Sequence, residues 1–288
     1  MMASDIACVV VFYNPAPAAV DSVRTLAGAG YPVVVVVNQA APALVAAMTG
    51  MANVHVIQNP GNLGLATALN QGLGLAFDEL HLSWAAALDQ DSTPPASLPR
   101  DLATALEAEA SAKIACIGPT LVDRKSDHGR YAYDQSPEHT GSPRTIPTSG
   151  TLITWEAWQA VGQMLEPLFI DGIDHEWCFR AYDKGFKVAV SPQVTMLHDM
   201  GDAGIRVFGR FKPIHRSPIR HYFIVRNTLY LCSLGYVPMG WKVSELLKTL
   251  RRFAVYLLVS TDRLRSLRLM CRGVLDGFSG RLGPCPIQ

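Results

Sequence analysis

The stretch HLSWAAALDQD, residues 81–91, decides the fold of this chain of 288 residues. Its apolar part, residues 81–88, predicts a strand, and Pro94 and Pro95 shortly afterwards prevent the strand from continuing. Asp89 and Asp91 therefore lie where the strand becomes a loop, which is where open α/β sheets bind their ligands. Mg²⁺ is usually held by one or two carboxylates together with a substrate's phosphates. Because Asp-x-Asp is also common in solvated turns, this stretch alone leaves both a metal site and a polar turn open.

Short apolar runs alternate with helical segments before this stretch. Ile6 to Phe12, the five valines Val33 to Val37, and Val54 to Gln58 each predict a strand. A run that is apolar on both faces, like the valines, is typical of a parallel strand covered by helices on each side. The β-α-β-α-β order predicts an α/β fold with a nucleotide-binding half.

A glycine-containing segment, residues 59–72, follows the third predicted strand and opens a helix. Its early residues are small, so that a ligand or a neighbouring backbone can approach closely. A dinucleotide-binding fingerprint belongs after the first strand of such a unit, so a NAD site is not expected here.

Charge is distributed unevenly along the chain, although the net charge is only +1. From Lys242 onward the sequence has nine basic and three acidic residues, so the tail carries +6 and the remainder −5. This asymmetry predicts an anionic surface as a partner of the tail. We favour a membrane surface over nucleic acid for the reasons given below.

The six cysteines are scattered and form no C-x-x-C pair. This pattern predicts a reducing, cytoplasmic compartment. The N-terminus shows no secretory signal, and no apolar run approaches the roughly 18 to 20 residues that span a bilayer. The sequence thus predicts a soluble or peripheral protein.

Further motifs complete a family pattern. Residues 62–72 read Asn62-x-Gly64-x-x-x-Ala68-x-Asn70-x-Gly72, residues 169–180 read FIDGIDHEWCFR, and Arg226-Asn227 follows. With the strand that ends in Asp89-Gln90-Asp91, this pattern resembles the GT-A family 2 glycosyltransferases, most of all their bacterial rhamnosyltransferase branch. The resemblance covers residues 6 to about 228.

The resemblance implies a GT-A fold with a Rossmann-like nucleotide-binding half and a mixed central sheet. It places a catalytic domain at residues 1–235, with a donor half over about 1–122 and an acceptor half over about 123–235. Residues 236–288 then form a basic amphipathic helical tail.

The same resemblance implies a bound Mg²⁺ or Mn²⁺ ion. Asp91 would bind the metal directly, and Asp89 would hold the donor's ribose or the metal's water shell. His198, at the end of a later predicted strand, would be a third ligand, since the family's His-x-x-Gly pattern continues to Gly201. The alternative is that His198 only caps its strand.

Three acids lie in the segment 169–180, and one of them stands where the family keeps its general base. That residue is Asp174, while Asp171 and Glu176 would bind the acceptor or support the base. Alternatively, all three are N-terminal helix acids that favour the helix dipole. The family's usual Glu-Asp pair is Ile173-Asp174 here, which leaves the role of Asp171 open.

The family binds the nucleotide of its donor at the ends of the first strands and near the glycine-containing helix. Residues expected to contact the donor by this resemblance are Tyr13, Asn14, Asn38, Asn62, Asn70 and Arg226, besides the two acids of the Asp-x-Asp. Asn38 stands where the wider family usually has Asp, so an amide would replace a carboxylate. Thr148 to Thr151 either borders the donor sugar or is a simple turn.

Two segments read as loops, residues 123–146 and residues 199–218. The second is basic and would close over the donor's diphosphate, or would be an ordinary solvated loop. After Gly240, apolar residues recur at helical spacing with basic residues around them. Such a tail would bind the inner membrane face, pack on the catalytic domain or form a dimer.

The sequence therefore predicts an inverting, metal-dependent glycosyltransferase that moves L-rhamnose from dTDP-L-rhamnose to a cell-surface polysaccharide or lipid-linked glycan. The alternatives are a family 2 enzyme that uses a UDP- or GDP-sugar, and a non-catalytic relative that binds a glycan. A nucleotidyltransferase of related topology is a third, and pyrophosphate release would identify it.

Overall fold

The structure is a computed structural model that describes residues 2–108, 113–123, 144–198, 205–207, 210–212, 217–260 and 262–286. For Asp123, His198, Val259 and the two short segments 205–207 and 210–212, it describes the backbone alone. Most of the two loops predicted at 123–146 and 199–218 lies outside the described residues.

Helices and strands alternate along the chain. The strands are β1 (Ile6–Tyr13), β2 (Val33–Gln39), β3 (Val54–Gln58), β4 (Trp84–Asp89), β5 (Ile114–Asp123), β6 (Thr151–Thr154), β7 (Lys187–His198), β8 (Ile205–Val207) and β9 (Arg210–Lys212). The helices are α1 (Ala19–Gly28), α2 (Pro42–Met48), α3 (Leu65–Gly74), α4 (Leu98–Ala108), α5 (Trp155–Val161), α6 (Ile173–Asp183), α7 (Pro218–Ser233), α8 (Met239–Val259) and α9 (Arg263–Phe278). A π-helical turn, Leu75–Glu79, prolongs α3.

Seven strands form one mixed sheet in the order β3-β2-β1-β4-β6-β5-β7. The first four strands are parallel, β6 runs antiparallel to both β4 and β5, and β7 is parallel to β5. The predicted α/β class with a mixed central sheet is confirmed. The five valines of β2 are buried between β1 and β3, as expected for a parallel strand with both faces covered.

Helix α3 packs closely on the sheet because of a glycine. A Cβ atom at Gly72 would stand 2.3 Å from Cγ1 of Val9, in β1, and 3.2 Å from Cγ2 of Val36, in β2. This contact fixes the loop that precedes α3 above the carboxyl ends of the same strands, so the glycine positions the site and not only the core.

The C-terminal helices α8 and α9 pack on the rest of the chain through α7. Cβ atoms at Gly273 and Gly277, in α9, would stand 2.8 Å and 2.7 Å from the carbonyl oxygens of Tyr222 and Arg226, in α7. Tyr256 of α8 and Met270 of α9 are buried with Val225 in one cluster. Packing, one of the three roles considered for the tail, is therefore observed. Within the described helices, no segment is both long and apolar enough to cross a bilayer.

Candidate active site

An open cavity of about 810 Å³ lies at the carboxyl edge of the parallel strands. The edge is shared because β1, β2 and β4 run in the same direction and pair in register, with Val11 beside Asp89 and Tyr13 beside Gln39. Predicted site residues that line the cavity are Tyr13, Asn38, Asn62, Asp89, Asp91, Asp171 and Asp174. The fold thus brings donor-side and acceptor-side predictions into one space.

Gln90, between the two acids, fixes the end of β4 to the end of β1. Its Oε1 accepts a hydrogen bond from the backbone N–H of Tyr13 at 2.8 Å, and its Nε2 donates to the Tyr13 carbonyl at 3.1 Å. Ser92, just beyond, shares a 2.6 Å hydrogen bond with the hydroxyl of Ser149, which also lines the cavity. The loop that carries the two carboxylates is therefore held on both sides. The role of Gln90 was missed from the sequence, where its residue type gave no signal.

The two carboxylates suit a hard divalent cation. Asp91 is exposed and Asp89 is half-buried, and both face the cavity. No cluster of three or more metal-binding side chains occurs among the described side chains. One or two carboxylates are nevertheless the usual protein share of a Mg²⁺ site whose other ligands are substrate phosphates and water.

His198 ends β7, and the backbone places it near the Asp-x-Asp loop. Its Cα pairs with that of Asp123, and Leu197, immediately before it, bridges to Thr93, two residues after Asp91. Its side chain lies outside the described residues, so its predicted role as a metal ligand stays a prediction.

The hydrogen bonds of Asn38 explain why this position carries an amide where the wider family usually has Asp. Its Nδ2 donates to the carbonyl of Gly64 at 3.0 Å, and its Oδ1 accepts from Nδ2 of Asn59 at 2.9 Å. A carboxylate could make only the second of these bonds, because it has no proton to donate. Asn62 caps the same loop by accepting from the backbone N–H of Gly64 at 3.0 Å.

Phe169 joins this donor-side loop to the acceptor-side segment. Its carbonyl accepts the N–H of Leu65, at the start of α3, at 2.6 Å. A Cβ atom at Gly64 would stand 2.7 Å from the ring of Phe169, so the donor-side loop and the acceptor-side segment are in contact at this point. The small residues of this loop predicted that a ligand or a neighbouring backbone could approach closely, and at Gly64 the backbone of Phe169 does so.

Asp171 and Asp174 lie on the acceptor side of the cavity, just before and within the first turn of α6. Asp171 has φ +64° and forms a 2.9 Å ion pair with Arg220. Asn227 of α7 donates to the backbone carbonyls of Ile170 and Asp171, at 2.7 Å each, which holds this left-handed backbone in place. Asp174 is half-buried and lines the cavity, and its Oδ1 accepts a hydrogen bond from the backbone N–H of His175 at 2.9 Å.

Arg226 does not reach the cavity, and its predicted phosphate contact is corrected. The side chain is fully buried (0% exposed) and donates to the carbonyls of Gly283 and Leu168, at 2.5 and 2.9 Å. Its guanidinium stacks over the rings of Tyr222 and Phe223, and burial lowers its pKa. Arg226 therefore ties the C-terminal segment to the loop that precedes Asp171.

Asn70, predicted to contact the donor, instead forms hydrogen bonds inside the protein. It is buried in α3, where its amide pairs with the backbone of Met164 in both directions, at 3.0 and 2.8 Å, and with Glu166 at 3.0 Å. Asn14 has φ +48° and bonds the carbonyl of Gln39 through its backbone, but it does not line the cavity.

Glu176, predicted on the acceptor side, is buried inside the protein. It pairs with Arg180 at 2.7 Å and accepts the hydroxyl of Tyr236 at 2.5 Å. Burial, followed by the hydrogen bond to Glu176 and then the charge of Glu176, raises the pKa of Tyr236. Glu176 therefore connects α6 to the segment before α8 and is not available to an acceptor.

Helix α8 supplies a wall of the cavity that the sequence did not predict. Its side chains Trp241, Glu245, Arg252 and Tyr256 line the space beside Asp174 and His175. Trp241 contacts the His175 ring at 5.5 Å between centroids, and Glu245 pairs with Arg252 at 2.9 Å. The motifs end near residue 228, so no motif pointed to this wall.

Comparison with known proteins identifies the family of this site. The model of the family "Glycosyl transferase family 2" matches residues 7–158, more than half of the chain. The chain is a family 2 glycosyltransferase. It is 30% identical over 296 residues to the dTDP-rhamnosyl transferase RfbF of Shigella flexneri, a match that covers 98% of each chain.

Solved structures show that this glycosyltransferase has a GT-A fold. S. aureus TarS 1-349 in complex with UDP-GlcNAc superposes with a TM-score of 0.58 at 14% identity, covering 97% of this chain and 81% of that one. GalNAc-T7 with UDP, GalNAc and Mn²⁺ gives 0.52 at 15% identity, covering 88% and 56%. The predicted fold class and family are confirmed.

Proposed function

We propose that this glycosyltransferase moves L-rhamnose from dTDP-L-rhamnose to a cell-surface polysaccharide or a lipid-linked glycan, with inversion at the anomeric carbon. The observation that carries the donor is the similarity to the S. flexneri dTDP-rhamnosyl transferase, which extends over 98% of both chains. The cavity at the carboxyl edge of the sheet, of about 810 Å³, supports the binding of a nucleotide-sugar donor there.

A divalent cation belongs to this proposal. Asp91 and Asp89 would hold Mg²⁺ or Mn²⁺ together with the donor's phosphates, and His198 would complete the ligands. When bound, the metal neutralises charge on the diphosphate leaving group as a Lewis acid.

Asp174 is the proposed general base. The oxygen of an acceptor hydroxyl attacks the anomeric carbon and forms the new glycosidic bond, while Asp174 takes the hydroxyl proton. The bond between the sugar and the diphosphate breaks, and its electron pair leaves with dTDP. Because the attack comes from the side opposite the leaving group, the anomeric configuration is inverted.

The acceptor would lie between α6 and α8. Asp171 with Arg220, and Glu245 with Arg252, present carboxylates and guanidiniums to the cavity, and Trp241 adds an aromatic surface. Fixed charged pairs beside an aromatic ring suit a sugar, which offers hydroxyls at its edge and C–H groups on its face. A cytoplasmic location, on the inner face of the membrane, remains a prediction from the sequence.

Calorimetric binding of dTDP and of UDP, each with and without Mg²⁺ or Mn²⁺, tests the donor and the metal together. We expect dTDP to bind more tightly than UDP, only with metal, and Asp91→Ala to abolish this binding. Glu107→Ala, which removes an exposed acid of α4 outside the cavity, is the matched control and should bind normally.

Each other outcome refutes a stated part of the proposal. A preference for UDP or for GDP would refute rhamnose as the sugar, and metal-independent binding would refute the metal. Absence of nucleotide binding under every condition would favour a relative that only binds glycans.

A further inference from the structure

Helix α8 carries apolar side chains on the side that faces solvent as well as on the side that packs on the protein. Apolar residues at positions 239, 243, 246, 247, 250 and 258 fall on one stripe and are between 38% and 72% exposed. The opposite side carries Trp241, Glu245 and Arg252, which line the cavity. A helix that only packs on its own domain would carry mainly polar residues on its solvent side, so this exposed stripe needs another partner.

Helix α9 repeats the arrangement. Leu264, Leu267, Leu275 and Phe278 recur at spacings of three and four with the exposed Cys271 between them, and are between 38% and 76% exposed. Its other side packs on α7 through Gly273 and Gly277. Ten of the fifteen large hydrophobic side chains that are exposed in the described residues lie in α8 and α9. The exposed apolar area is therefore concentrated in two helices that contact each other.

Cations border both stripes. Arg251, Arg263, Arg265 and Arg268 are exposed and form no ion pair within the part of the chain that the structure describes. The acids of the two helices are already engaged, since Glu245 pairs with Lys248 and Arg252, and Asp276 pairs with Arg272. The border is thus available to an anionic partner.

This charge pattern decides between the two occupants that an apolar helix face usually has. Two copies of the chain that met through this face would bring like-charged arginines together, at a surface that has few free carboxylates to offset them. A bilayer with anionic headgroups offers acyl chains for the leucines and phosphates for the arginines.

We propose that the α8–α9 face, defined by these two stripes and their arginines, docks on an anionic lipid bilayer. The inference does not depend on which sugar or acceptor the enzyme uses. Since the other side of α8 lines the cavity, docking places the cavity about one helix diameter, roughly 10 Å, from the lipid surface.

Vesicle flotation of the full chain tests the proposal. The vesicles are phosphatidylcholine alone, and phosphatidylcholine mixed with phosphatidylglycerol. We expect flotation only with the anionic mixture and a decrease with added salt. The neutral double variant Leu247→Ser/Leu250→Ser should weaken binding by more than about tenfold, because it removes apolar area that enters the bilayer.

Two further variants test the contribution of the arginines and the specificity for the α8–α9 face. Arg265→Gln/Arg268→Gln should weaken binding about 10- to 30-fold and reduce its salt dependence. Trp155→Ser, which removes an exposed apolar side chain of α5, is the matched control and should float as wild type does. All these positions lie outside the cavity, and a cooperative urea unfolding transition like that of wild type reports that each variant is folded.

The proposal would be overturned if wild type stayed unbound with the anionic vesicles, or if the leucine variant floated equally well. It would also be overturned if sedimentation showed a dimer that the leucine variant dissociates, since the face would then belong to a second copy of the chain.

Discussion

Replacement of Gly64 by alanine tests how the donor and acceptor sides of the site are joined. Gly64 has φ +91°, and a Cβ atom there would stand 2.7 Å from the Phe169 ring and 2.8 Å from its carbonyl oxygen. The strained backbone costs about 1–3 kcal/mol. The clash adds about 1–3 kcal/mol, because one of its partners is backbone that cannot rotate away. We expect Gly64→Ala to lower the free energy of unfolding by roughly 2–6 kcal/mol.

Two glycines of the same protein serve as controls for this prediction. Gly61, in the same loop, has open space around its Cβ position and no left-handed φ, so Gly61→Ala should change stability by less than about 0.5 kcal/mol. Gly50 has φ +88° and the same open space, so Gly50→Ala reports backbone strain alone, about 1–3 kcal/mol.

Urea denaturation of the three variants at one temperature measures the differences. If Gly64→Ala were no less stable than Gly50→Ala, the contact with Phe169 would be refuted. If it were no less stable than Gly61→Ala, the strain would be refuted as well. A decrease in dTDP affinity should accompany the loss of stability, because Asn62 caps this glycine at the edge of the cavity.

Two other predictions concern the acceptor side. Asp174→Asn should reduce the rate of dTDP release in the presence of an acceptor by about 10²- to 10⁴-fold and leave dTDP affinity unchanged. The control Asp183→Asn, at the exposed end of α6, should leave both the rate and the affinity unchanged. Normal turnover in Asp174→Asn would refute Asp174 as the base. Burial alone would raise the pKa of Glu245, but the ion pairs with Arg252 and Lys248 outweigh burial and lower it. The ionised Glu245 carboxylate therefore stabilises the folded state fully above about pH 4.5, and this contribution to folding stability is lost as the pH falls further. Glu245→Gln should therefore be less stable than wild type at pH 7 by about 1 kcal/mol, with a difference that shrinks below pH 4.5, while the exposed Glu156→Gln shows no such trend.

Much of the donor half could be predicted because its signals are local. The five valines, the segment 54–58 and the prolines after Asp91 each determine an element from neighbouring residues alone, and β3 has the predicted bounds. The insertion of β6 between β4 and β5 could not be predicted, because strand pairing depends on residues far apart in sequence.

Polar residues of the motifs were harder to interpret than the strands. Asn70 and Arg226 were expected to bind the donor, and both instead satisfy backbone carbonyls inside the protein. A side chain that can bond a phosphate can equally bond a carbonyl, and only its burial distinguishes the two uses. The cavity wall formed by α8 was not predicted for a related reason. The sequence indicates an amphipathic helix, but it does not indicate which side of that helix faces the protein.

The loop before α6 has a consequence for attempts to make this enzyme more robust. Phe169 and Asp171 both adopt left-handed φ values, +67° and +64°, which cost non-glycine residues about 1–3 kcal/mol each. Selection for heat resistance alone would therefore favour glycine at position 171, but not at position 169, because the Phe169 ring stacks on Phe223 with 5.1 Å between ring centroids. Glycine at position 171 would remove the carboxylate that pairs with Arg220 beside the cavity. A thermostable variant chosen without a turnover assay would be expected to lose its alignment of donor and acceptor, so stability and activity should be selected together at this loop.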